Sequence, residues 1–155
     1  MKNILLIPVA FLLLFVFSCR SSSDDPVEVS PLIGKWQPYR AVINATLSTG
    51  PYTNTIEYSE CMQKTRVTFS DNNTGGMLTY GEENGTCVQQ ENVNFTYTHN
   101  PTANTLNITR NGQTQNGTIK TLSKSDLVYI VEGNFDIQGE TVPANVTFYL
   151  RKTKD

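Results

Sequence analysis

Alternating hydrophobic and polar positions run through most of the chain in short segments. In residues 65–70, for example, the side chains of Val67 and Phe69 share one face. A period of two is typical of a strand with one buried face. The same pattern, or a dense run of β-forming residues, predicts further strands at residues 35–43, 77–80, 93–98, 105–110, 115–122, 127–132 and 145–152.

Turn signals separate these segments. Asn111-Gly112 is the strongest hairpin signal in the chain, and residues 71–76 form a cluster of turn-favouring residues. Pro38 interrupts the first segment, which predicts an edge position or a bulge there. About eight short strands joined by tight turns predict an all-β fold, either an antiparallel barrel or a sandwich.

The first residues follow a different pattern. Lys2 precedes an almost unbroken apolar run over residues 4–17, which ends at Ser18-Cys19. A basic start, a short apolar run and a small residue at the break are typical of a secretory signal, and the run is shorter than the roughly 20 residues of a bilayer span. Residues 16–19 resemble the lipobox of bacterial lipoproteins. This resemblance implies a signal peptide over 1–18 and palmitate-type acyl chains on Cys19.

Residues 19–30 are rich in Ser and Asp and predict a flexible tether, with the folded domain over 31–155. Ser23-Asp24-Asp25 resembles the acidic export tag of Bacteroidetes lipoproteins. That resemblance implies an outer-membrane lipid anchor with the domain facing the cell exterior. The alternative is a linker that is acidic only for solvation.

Charge and composition limit the partners. Without Lys2 the chain has 11 basic and 14 acidic residues, a net charge of about −3. No basic patch occurs, which argues against a nucleic-acid partner. Thr is abundant and suits half-solvated strands, whereas Asn suits turns. The expected membrane contact is therefore through the acyl chains.

Cys61 and Cys87 are an even pair in an exported chain, which favours a structural disulfide. Metal binding or a redox role are the alternatives. A zinc site needs three or four ligands, and His99 is the only further nitrogen or sulfur candidate. His99 ends a predicted strand, where we expect a solvated histidine at the rim. We therefore predict no metal, no cofactor and no catalytic residue.

Gly34-Lys35-Trp36 resembles the Gly-x-Trp opening of lipocalins. The resemblance implies that Gly34 allows a tight turn, that Trp36 plugs one end of a barrel, and that a basic residue of the last strand packs over it. Arg151 is the candidate, although alternation places it opposite Phe148. The order of weak motifs over 31–152 resembles the lipocalin-like domain of short Bacteroidetes lipoproteins, which implies an up-and-down barrel of about eight strands.

A barrel of this size can be filled by side chains or hold one small ligand, and the short domain slightly favours a mostly filled interior. The expected function is a non-enzymatic, lipid-anchored surface protein whose lipocalin-like barrel binds a small apolar ligand. The alternative is a protein-interaction or inhibitor module. Its surfaces would be residues 48–60 and 133–143, predicted to be the longest irregular stretches. A hydrolase is the least favoured reading, because no Ser/His/Asp set can be assembled.

Overall fold

The computed structural model describes residues 29–154, and in that part of the chain it contains ten strands and a short 3₁₀ turn at Met62–Lys64. The strands are β1 (Gly34–Leu47), β2 (Gly50–Glu57), β3 (Arg66–Phe69), β4 (Thr74–Glu83), β5 (Thr86–Asn100), β6 (Thr105–Arg110), β7 (Gln113–Gln115), β8 (Gly117–Leu122), β9 (Asp126–Ile137) and β10 (Glu140–Lys152).

Eight of these strands close into a ring. The order is β1, β3, β4, β5, β6, β8, β9 and β10, and β10 pairs back onto β1. Every neighbouring pair is antiparallel. The prediction of an all-β, up-and-down barrel of about eight strands is confirmed, and the ring strands correspond to the eight segments that alternation predicted. A sandwich is excluded because the ring closes.

The prediction of irregular structure at residues 48–60 and 133–143 is wrong. Most of the first is β2, which pairs only with β1 among the described strands. Its sequence contains Gly, Pro and Asn, and such residues are tolerated on an edge strand. The second is the hairpin between β9 and β10, which turns at Gln138-Gly139 with φ values of 52° and 85°.

The distal ends of β1, β9 and β10 join β2 in a four-stranded extension beyond the ring. Leu47, Ile137 and Ala144 form a small buried cluster on it, separate from the main core. The extension is therefore an ordered sheet with packing of its own.

The local turn and bulge predictions are largely confirmed. The pairing of β1 with β10 shifts between Pro38 and Arg40, so a bulge lies at the proline. Asn111-Gly112 has φ values of 49° and 75° and closes β6 onto β7. This conformation is the type I′ turn that matches the twist of a hairpin. The predicted turn at 71–76 is shorter than expected, because β4 already begins at Thr74.

Candidate functional site: a calyx opposite the tryptophan plug

The closed end of the barrel is built around Trp36. Its side chain is 0% exposed, and its Nε1 donates a hydrogen bond to the Leu32 carbonyl at 2.8 Å. Lys152 Nζ lies 5.2 Å from the centre of the indole ring and donates to the Pro31 carbonyl at 2.8 Å. Gly34 has a φ of 126°, and a Cβ there would lie 2.7 Å from Lys152 Cε. The burial of Trp36 and the positive φ of Gly34 agree with what the lipocalin resemblance implied.

The assignment of Arg151 to the plug is wrong. Its guanidinium lies 5.2 Å from the ring of Tyr39 and donates to Gln63 Oε1 at 3.2 Å. Alternation along β10 puts it on the outer surface, whereas Lys152 is in phase with the inward-facing Leu150. The cation over Trp36 is therefore the lysine one position later.

Aromatic side chains fill the barrel next to the plug. The rings of Phe69 and Tyr97 meet edge to face at 5.0 Å, and those of Phe69 and Phe95 at 5.5 Å. The Tyr97 hydroxyl donates to the Ser70 carbonyl at 2.6 Å. Burial raises the pKa of Tyr97, and the nearby Asp71 carboxylate raises it further. These side chains belong to one buried core cluster with Trp36.

The opposite half is hollow. A cavity of about 740 Å³ extends between the strands towards their other ends, within the range of about 300–1,000 Å³ of small-molecule sites. The expectation of a mostly filled interior therefore holds for one half only. The apolar part of the wall consists of Pro38, Met62, Val67, Met77, Phe95, Ile108, Phe148 and Leu150. We call this cavity the calyx.

Tyr58, Tyr80 and Tyr129 line the calyx. The ring of Tyr129 stacks on that of Phe148, with centres 5.3 Å apart and planes 24° from parallel. Burial raises the pKa of Tyr129, and the proximity of Tyr58 raises it further, against a smaller opposing effect of Arg110. Burial also raises the pKa of Tyr58. Both hydroxyls are therefore protonated at neutral pH.

The mouth of the calyx is polar. Glu83, Gln89, Gln90, Glu91, Arg110 and Gln115 line it. Arg110 and Glu91 form an ion pair at 3.4 Å, and each side chain is about half exposed. Such a pair is worth little because water screens it.

The disulfide lies on the same side of the barrel. Cys61 and Cys87 are bonded, with Cα atoms 5.4 Å apart, which confirms the predicted pair. The bond joins the 3₁₀ turn before β3 to the start of β5, and Met62 and Gln89 nearby both line the calyx. It therefore constrains the wall of the calyx.

A second cavity, of about 900 Å³, lies at the Trp36 end, against the turns that precede β4 and β6. Its wall includes Val29, the first residue described, and the half-buried His99, whose pKa is lowered by burial. His99 thus lies at a strand end, as predicted. Residues 29–154 contain no cluster of three metal-ligating side chains. We place the candidate site in the calyx because it is the cavity that enters the barrel between the strands.

The predicted acylation site Cys19 and the Ser23-Asp24-Asp25 segment lie outside the described residues. Between residues 29 and 154, no helix has the length and apolarity needed to cross a bilayer. The calyx residues Tyr58, Tyr129 and Arg110 were not identified from the sequence. They come from separate parts of the chain, and only the preference of Tyr for strands would have drawn attention to them.

Comparison with known proteins agrees with this architecture. The model of the lipocalin-like domain family matches residues 32–129, more than half of the chain. No curated protein matches.

Among solved structures, the chain is similar to a deswapped triple mutant of bovine odorant-binding protein, with 19% identity, a TM-score of 0.44, and 81% of this chain and 76% of that chain covered. It is similar to the bovine lipocalin allergen Bos d 2 at 15% identity and a TM-score of 0.45, with 81% and 75% covered. A third similar structure is bovine odorant-binding protein in complex with undecanal, at 18% identity and a TM-score of 0.44, with 82% and 74% covered.

Proposed function

Because the chain belongs to the lipocalin-like domain family, we propose that it is a lipid-anchored surface protein that holds a small apolar molecule in its calyx. Members of this class bind or carry ligands rather than catalyse reactions, and we propose no enzymatic activity. The bovine odorant-binding protein with a similar fold is described in complex with undecanal. An apolar molecule of comparable size is a reasonable first probe here.

The binding proposal rests on the difference between the packed half and the hollow half of the barrel. One half is packed around Trp36, and the other contains an apolar-walled cavity of about 740 Å³ that ends in a polar mouth. A cavity with an apolar wall and a few polar groups is the usual form of a small-molecule site. Removing the ligand's apolar surface from water supplies the binding free energy, at roughly 25 cal/mol per Å².

The anchoring proposal rests on the apolar leader and Cys19. Val29 lies at the Trp36 end of the barrel, where it borders the second cavity. A tether that joins the barrel there would leave the mouth of the calyx at the end away from the attachment point. The mouth would then face the surroundings of the cell.

Ligand binding is tested with a pair of variants on one strand. Ile108 lines the calyx, whereas Thr109, its neighbour on β6, points the other way. We expect Ile108→Glu to abolish binding of a fluorescent apolar probe, because it buries a charge in the wall. Thr109→Glu should bind normally. Circular dichroism checks that both variants fold. Failure of the unmodified protein to bind any apolar probe would contradict the function.

Anchoring is tested separately. Cys19→Ala should leave the protein unprocessed and without labelled fatty acid, and normal labelling would refute the lipobox assignment. Surface display predicts that external protease removes the protein from intact cells. Replacing Asp24 and Asp25 with alanine should protect it, whereas unchanged accessibility would contradict the export tag but not the anchor.

A further inference from the structure

The calyx presents tyrosine hydroxyl groups to its interior. Tyr58 and Tyr129 both line the cavity, and their side-chain oxygens make no hydrogen bond to any group within residues 29–154. By contrast, the Tyr97 hydroxyl in the filled half donates to a carbonyl. Within residues 29–154 the fully buried side-chain polar atom without a partner is Arg40 Nε, so the two tyrosine hydroxyls face the open space of the calyx and can pair with a molecule there. Tyr80 also lines the calyx, and its hydroxyl makes no hydrogen bond in that part of the chain, so the calyx offers up to three tyrosine donors to whatever occupies it.

Tyr58 and Tyr129 line the same cavity and remain neutral. The proximity of Tyr58 contributes to the raised pKa of Tyr129, and burial raises the pKa of both. Each phenol therefore keeps its proton and can donate it in a hydrogen bond. A carbonyl oxygen has two lone pairs and can accept from both.

The charges at the mouth disfavour one class of ligand. Glu83 and Glu91 face a single cation there, Arg110, which is already paired with Glu91 at 3.4 Å. The mouth thus carries a net charge of about −1. An anionic head group would meet repulsion, and it would also have to displace Glu91 to reach the guanidinium.

We propose that the calyx selects neutral apolar molecules that carry a carbonyl oxygen, such as a ketone, aldehyde or ester, and discriminates against free fatty-acid anions. The carbonyl accepts hydrogen bonds from Tyr129 and Tyr58, while the alkyl part lies against Met77, Ile108 and Phe148. This inference rests on the proposed function and adds the chemical class of the ligand.

The test compares three probes of one chain length, octan-2-one, octane and octanoate, by calorimetric titration into the purified protein stripped of lipid. We expect octan-2-one to bind about two- to tenfold more tightly than octane, which corresponds to a net hydrogen bond of roughly 0.5–1.5 kcal/mol. Octanoate should bind most weakly. Glu91→Gln should raise the affinity for octanoate relative to that for octan-2-one, because it removes a negative charge from the mouth.

Tyr129→Phe removes only the hydroxyl and leaves the stacked ring. It should reduce the preference for octan-2-one over octane, and the double variant Tyr58→Phe/Tyr129→Phe should remove the remaining preference, because each phenol supplies one of the two hydrogen bonds. Tyr149→Phe is the matched control, because that ring lies outside the barrel against Arg40. Equal binding of octan-2-one and octane to the unmodified protein, or an undiminished preference in Tyr129→Phe, would overturn the inference while leaving the proposed function intact. No binding of any probe would overturn both.

Discussion

The two halves of this barrel share the same strands but differ in what lies between them. At the closed end, Trp36, Phe69 and Tyr97 fill the interior, and the polar atoms of Trp36 and Tyr97 are satisfied by carbonyl groups of the protein. At the open end, the strands continue around a cavity, and the hydroxyls of Tyr58 and Tyr129 make no hydrogen bond within residues 29–154.

The difference shows that strand pattern and interior volume are separate properties. Alternation places a side chain inside the barrel, but its size and its neighbours decide whether space remains. Phe95 illustrates this point, because its ring occupies the space above Gly75, the residue opposite on β4. Dense packing stabilises the closed end, whereas the hollow end lacks part of that packing and leaves space between the strands.

The largest effect is expected for the plug itself. Trp36→Ala should lower the free energy of unfolding by about 3–5 kcal/mol, because it removes a fully buried indole and leaves a cavity. Urea denaturation followed by circular dichroism measures the change, and Gln89→Ala at the exposed mouth is the control. Before mutation, the emission of this single tryptophan should be blue-shifted and resistant to iodide. A loss below about 1 kcal/mol, or a red-shifted and readily quenched emission, would contradict the assignment of Trp36 as a buried plug.

The open end should depend on its disulfide. The Cys61–Cys87 bond closes a loop with a sequence separation of 26 residues, and the chain-entropy model gives about 3–4 kcal/mol for such a loop. Reduction should lower the melting temperature and leave the β-sheet signal of the remaining core. Peptide mapping without reductant should recover the linked pair. Two free thiols in protein from the cell envelope would contradict it.

Two adjacent glycines test how tightly the closed end is packed. A Cβ on Gly75 would lie 2.3 Å from the Phe95 ring, whereas one on Gly76 would lie 3.6 Å from its nearest neighbour, Asn94 Oδ1. The Cβ on Gly75 would also lie 2.4 Å from the Thr68 carbonyl oxygen, so Gly75→Ala should cost about 1–3 kcal/mol through contacts with both the Phe95 ring and the backbone of β3. Gly76→Ala should be within about 0.5 kcal/mol of the unmodified protein. Equal denaturation midpoints for the two variants would contradict the claim that this half is tightly filled.

The smallest effect concerns the cation over the plug. Lys152→Met should cost about 1 kcal/mol, because it removes the contact with the indole and the hydrogen bond to Pro31. Arg151→Met, on the outer surface, should cost no more than about 0.5 kcal/mol. Thermal denaturation of the two variants measures which of the two side chains contributes more to stability. A greater loss for the arginine variant would restore Arg151 to the role that the lipocalin resemblance assigned to it.

The sequence predicted the strands of the ring better than it predicted the ends of those strands or the strand β2 outside the ring. β6 was predicted with its observed bounds, because Asn111-Gly112 marks the turn. β2 was missed because it lies on an edge and carries little alternation. Arg151 was chosen from the family resemblance, although alternation alone pointed to the inward-facing phase that Lys152 occupies. The local pattern was the better guide there, because it reports which face of the strand a residue lies on.

By itself, the sequence pattern predicted the all-β class, about eight strands and the pairing of Cys61 with Cys87, whereas the closed ring and the buried Trp36 were implied by the lipocalin resemblance. The features predicted from the pattern depend on periodicity, turn chemistry and residue type, which act over a few residues or require only an even cysteine pair. Only the tertiary structure decided where the interior is hollow and which side chains line it. Tyr58, Arg110 and Tyr129 come from different parts of the chain. Their proximity depends on the closure and register of the whole barrel, which no local pattern encodes.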